Sequence, residues 1–66
     1  MLPEEQAIKK RYPGATMKWS AGTVRIIDEK GNALGSVPID HCKTLMQNGD
    51  EAWRDAAKQL GVETDV

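Results

Sequence analysis

Residues 16–39 read TMKWSAGTVRIIDEKGNALGSVPI, and no other stretch narrows the fold so much. Three short runs of β-formers are separated by two glycine-containing connections, Ala21-Gly22 and Lys30-Gly31-Asn32. Alternating runs closed by such turns predict an antiparallel meander of three strands. The alternation also assigns the faces. Met17, Trp19, Val24, Ile26, Gly35, Val37 and Ile39 share one face, which is apolar. Thr16, Lys18, Ser20, Thr23, Arg25, Ile27, Leu34 and Ser36 share the other, which is mixed. One buried and one wetter face is the ordinary pattern of a small antiparallel sheet. Gly35 leaves a gap on the apolar face for Trp19 or a helix to fill, and Pro38 ends the ladder or marks an edge.

The flanks read as helices. Pro3 suits a first helical turn, Glu4 and Glu5 complement its dipole, and Ile8 and Tyr12 share a face with Ala7 beside them. Pro13-Gly14 stops this helix. After the sheet, Asp40 is a good N-cap, and Cys42, Leu45 and Met46 form an apolar stripe at helical spacing. Asn48-Gly49 closes that helix, and Asp50 caps a second one. In the second, Trp53, Ala56, Ala57 and Leu60 fall at i, i+3, i+4 and i+7. Gly61 is placed to end it, and the tail 62–66 is expected to fray. The expected fold class is α+β: one domain over 1–66, with a sheet core at 16–39, one helix before it and two after. The last helix should cover the apolar face, Trp53 and Leu60 meeting Ile26 and Val37.

Size limits what such a domain can do alone. A chain of 66 residues buries only about 60% of its unfolded surface, so its stability margin is small. A single cysteine, Cys42, forms no internal bridge, and apolar runs are too short to span a bilayer. These features set the expectation of a cytoplasmic protein with no membrane role. Net charge is -1, yet it is uneven. Residues 1–39 hold six bases against four acids, and residues 40–66 three bases against six acids.

Candidate chemistry is sparse. His41 and Cys42 are adjacent, so they do not face each other on a helix, and a third group to orient the histidine is missing. One histidine and one cysteine also lack companions at metal-ligand spacing. Asp28 and Glu29 suit a hairpin connection, Asp50 and Glu51 suit a helix start, and the glycines fall at turns and caps rather than in a phosphate loop. The expectation is a protein without catalytic activity, metal or small-molecule cofactor.

Two surfaces look able to bind. Ile27 and Leu34 lie on the mixed face with Arg25 beside them, a set that suits a protein interface. Lys18 and Arg25 sit on neighbouring strands of the same face. With Lys9, Lys10 and Arg11 on the first helix they suit contacts to nucleic acid, as in sheets that enter a DNA groove.

The helix–three-strand–helix order resembles double-stranded-RNA-binding domains and the small toxin ribonucleases of toxin–antitoxin pairs. Those toxins use a histidine on the sheet, and Ser20-Ala21-Gly22-Thr23-Val24 holds none. The meander and following helix also resemble plant-type and integrase-arm sheet readers of DNA, through Trp19, Arg25 and Leu34-Gly35-Ser36. Both resemblances are topological, over about residues 16–60, and imply a fold rather than a family.

The leading expectation is a small interaction or regulatory protein that binds another protein or a second copy of itself. It would use Arg25, Ile27 and Leu34 or an edge strand. The alternative is a nucleic-acid-binding module using Lys9, Lys10, Arg11, Lys18 and Arg25.

Overall fold

The computed structural model describes residues 2–62. Its elements are α1 (Pro3–Arg11), β1 (Thr16–Ser20), β2 (Thr23–Ile27), β3 (Ala33–Pro38) and α2 (Leu45–Leu60). The α+β class and the three-stranded antiparallel sheet are present, in the order β1-β2-β3. Residues 63–66 of the tail expected to fray lie outside the described residues.

The first hairpin closes through Ala21 and Gly22, whose φ values are 45° and 77°. Positive φ at both positions is what a primed two-residue turn needs to match the strand twist. The second connection is built on Asp28, whose Oδ1 accepts from the N–H groups of Lys30 (2.9 Å) and Asn32 (2.8 Å). That side chain explains the acid at this position through turn formation.

Register sets two layers. On the helix side, Met17 pairs with Ile26 and Ile26 with Gly35, while Trp19 pairs with Val24 and Val24 with Val37. On the open side, Lys18 pairs with Arg25 and Arg25 with Ser36. Between Ile26 and Ile27 the register shifts, because Ile27 pairs with Ala33 and leaves Leu34 as an extra residue in β3. This bulge breaks the simple alternation. Leu34 is only 8% exposed and belongs to the core. Its expected place on the mixed face is therefore wrong.

Helix α2 covers the sheet chiefly over β3 and then β2. A Cβ on Gly35 would lie 2.6 Å from the Ala56 Cα, so it is this helix that fills the gap at Gly35. Helix α1 packs on α2 and sends the fully buried Ile8 into the same core as Val24, Ile26, Trp53 and Ala56. Both helices thus lie on one side of the sheet.

One helix follows the sheet, not two. Asp40 does not cap it; its Oδ1 accepts from the Cys42 N–H (2.9 Å) within a turn. Thr44 is the N-cap, in a reciprocal capping box with Gln47. The Asn48-Gly49 pair then passes through the helix without breaking it. Asn48 is fully buried. Its Nδ2 donates to the carbonyls of Asp40 (3.1 Å) and Thr44 (3.0 Å), and its Oδ1 accepts from the Asp40 N–H (2.8 Å). Gly49 allows close approach of β1, since a Cβ there would lie 2.9 Å from the Met17 Cε. Tertiary contacts thus outweigh the turn propensity of this pair. Gly61, at φ 66°, ends the helix as expected.

Candidate functional site

The two edges of the sheet are finished differently. In a two-residue hairpin the residues flanking the turn form a hydrogen-bonded pair, and bonded and non-bonded pairs then alternate. Starting from Ser20 and Thr23, this alternation turns the backbone groups of Met17 and Trp19 outward from β1. By the same alternation the Ser36 N–H points outward from β3. There it donates to Asp55 Oδ2 of α2 at 3.3 Å. Pro38 has no N–H to offer, and the Ile39 N–H donates to the Gly22 carbonyl at 2.9 Å. Asp55 of α2 thus meets one outward N–H of the β3 edge and Pro38 removes another, whereas among the described residues no hydrogen bond from outside the sheet reaches the backbone of Met17 or Trp19 on the β1 edge.

Beside that bare edge lies an apolar shelf. The buried residues of α2 begin at Asn48, so its first turn lies outside the core. Leu45 is 70% exposed and Met46 78%. Trp19 on β1 is 42% exposed. These side chains surround a shallow socket of about 320 Å³. Glu5 of α1 forms one wall, Met17 and Trp19 of β1 another, and Leu45, Met46, Gly49, Asp50 and Trp53 of α2 the rest. Such a volume is at the small end for a ligand cavity. The wall on the α1 side is fixed by Lys9, whose Nζ meets Glu5 at 2.7 Å and lies 5.5 Å from the centroid of the Trp53 ring.

The residues singled out from sequence fall into three groups. Arg25 is exposed and Ile27 half-buried, while Leu34 is core, so the three do not form one exposed patch. Lys18 and Arg25 are cross-strand neighbours on the open side, as expected. Lys9, Lys10 and Arg11 are on α1, in the layer on the other side of the sheet. Of these, Lys9 is engaged by Glu5 and Trp53, and Arg11 lines a cleft with Asp28, Glu29 and Lys30. The five bases do not make one basic surface.

Cys42, Leu45 and Met46 have the apolar spacing of a helical stripe, but Cys42 lies before α2 and all three are exposed. The shelf was missed for that reason. A sequence signal did exist: the core positions of α2 are dominated from Ala52 onward by small residues, whereas its first turn carries two large ones.

Ionisable groups outside the shelf are tied to local structure. Hydrogen bonding from the Asn32 backbone, chiefly, holds the Asp28 carboxyl below its usual range. The hydrogen bond to Glu51 raises the Lys43 ammonium above its usual value. Among the described residues no three His, Cys, Asp or Glu side chains come together as a metal site. No helix among them is long and apolar enough to cross a membrane.

No family model matches the chain, and no curated protein or solved structure matches it either. Its function is therefore read from its own surface.

Proposed function

We propose that this protein is a small, non-enzymatic interaction module that binds another polypeptide along β1. The observation that carries this reading is the bare β1 edge lying next to the exposed Trp19, Leu45 and Met46. Unpaired backbone groups provide affinity for an added strand, and an adjoining apolar socket provides selectivity. Size supports the same reading. A thin core gains stability by mass action when a partner buries more of its surface.

Amide hydrogen exchange tests the proposal. In the free chain the Met17 and Trp19 amides should exchange far faster than those of Val24 and Ile26, which lie inside the ladder. Chain-specific capture of a partner should protect them, and the Leu45→Ser, Met46→Ser double variant should lose capture while remaining folded. Slow exchange at Met17 and Trp19 in a strictly monomeric chain would show that the edge is already closed.

A second reading, nucleic-acid binding, draws on the Lys18–Arg25–Ser36 row, because the open face of the sheet carries no acid. The separation of these bases from Lys9, Lys10 and Arg11 counts against it, as does the net charge of -1. Anisotropy with duplex DNA at low salt decides it. Binding should fall steeply as salt rises if phosphates are contacted.

A further inference from the structure

The partner's chemistry is written on the two faces of β1. Resting on the docking reading above, we infer that the occupant of this edge is a strand of a different protein that alternates acidic and apolar side chains. Any strand added to β1 projects its residues alternately to the two sides of the sheet. On the open side they would meet Lys18, with Arg25 directly across from it on β2. Neither base makes an ion pair among the described residues, and no acid stands on that face. On the helix side they would meet Met17 and Trp19 and the mouth of the socket beneath them. Opposite charge is favoured across a strand pair and like charge is not. An acidic residue above and an apolar residue below therefore satisfy both faces at once.

The same charges disfavour a second copy. A two-fold pairing of β1 with itself keeps each face with its equivalent. It brings two Lys18 and two Arg25 side chains onto one surface that contains no acid. A lysine on an exposed edge is a common device against self-pairing.

The test uses the intact chain and two short peptides, one alternating glutamate with valine and one alternating lysine with valine. Binding of the acidic peptide should slow exchange of the Met17 and Trp19 amides about tenfold or more, while the basic peptide leaves them unchanged. Lys18→Glu should reverse the preference. Gly49→Ala should weaken binding without unfolding the chain. Its new methyl would press the flexible end of Met17 toward the socket, while alanine favours the helix.

Equal binding of both peptides would overturn the inference. So would a concentration-dependent dimer, seen by sedimentation equilibrium and abolished by Leu45→Ser, Met46→Ser. That result would make the occupant a second copy and leave the docking reading standing. Displacement of the acidic peptide by duplex DNA, with shifts at Lys18 and Arg25 but not at Met17 and Trp19, would assign the basic row to nucleic acid. Failure of both peptides, together with slow exchange of those amides in the free monomer, would remove the docking reading as well.

Discussion

The two edge strands of this sheet are of similar length and opposite fate. In β3, two adjacent residues, Leu34 and Gly35, are buried, and α2 runs along the strand closely enough for Asp55 to meet an outward N–H. In β1 every residue is exposed except the half-buried Met17. The difference does not come from apolar content, because Met17 and Trp19 are larger than anything β3 buries apart from Leu34. It comes from small residues. Gly35 against Ala56 lets the helix settle on β3, whereas at β1 it meets only side-chain ends, those of Met17 and Trp19 beside Gly49. The β3 edge therefore has an acceptor from α2, and among the described residues the β1 edge has none.

The largest expected effect comes from preventing that close approach. Gly35→Val would drive its side chain into the Ala56 backbone and should cost about 3 kcal/mol, near the upper end for overpacking. For a domain of this size each kcal/mol lowers the melting temperature by about 4–8 °C. Calorimetry should show the loss, and an unchanged midpoint would mean that α2 does not sit so close to β3.

Asn48→Ala should follow, at about 2 kcal/mol, because it strands the half-buried backbone groups of Asp40 that the fully buried amide now satisfies. Urea titration would measure it. The loop 39–44, which fixes where α2 begins and hence where Leu45 and Met46 stand, should then lose its exchange protection.

A smaller change should make the edges alike. Asp55→Ala removes the acceptor facing Ser36 and should cost about 1 kcal/mol or less. Its more telling consequence is a second exposed edge, so light scattering should reveal association that wild type lacks. If the variant stays monomeric, Pro38 and the bulk of α2 are sufficient to guard β3.

The smallest effects concern the ionisable groups at the margins, which are exposed. The Asp28 carboxyl is held below its ordinary value of 3.8 in the fold. Its contribution is present above that pH and is lost as pH falls through the folded value. The Lys43 ammonium is raised above 10.5, so its contribution is present below that pH and is lost as pH rises through the folded value. Melting temperature against pH should show a slight acid limb removed by Asp28→Asn and a slight alkaline limb removed by Glu51→Gln. A large shift from either variant would place it in the core energetics, against its exposure.

Local chemistry fixed much of this fold in advance. Turn residues specified both hairpins, since Ala21-Gly22 and Asp28 through Asn32 act within a few bonds of themselves. The period of Trp53 to Leu60 specified the main helix, and Pro3 and Gly61 marked two helix ends. The alternation placed Lys18 beside Arg25. What the sequence could not decide depended on partners distant along the chain. Asn48-Gly49 has the composition of a helix stop, and it became helix interior because the loop at Asp40 and the side chain of Met17 supply contacts that outweigh local preference. Leu34 reads as a mixed-face residue by strict alternation, and only the bulge turns it inward. Leu45 and Met46 have the spacing of a core stripe, yet burial requires a surface that closes over them, and Met17 and Trp19 of β1 form only one wall of an open socket there. Apolarity and period are properties of a segment; burial is a property of what meets it. The candidate docking surface lies where those two separate.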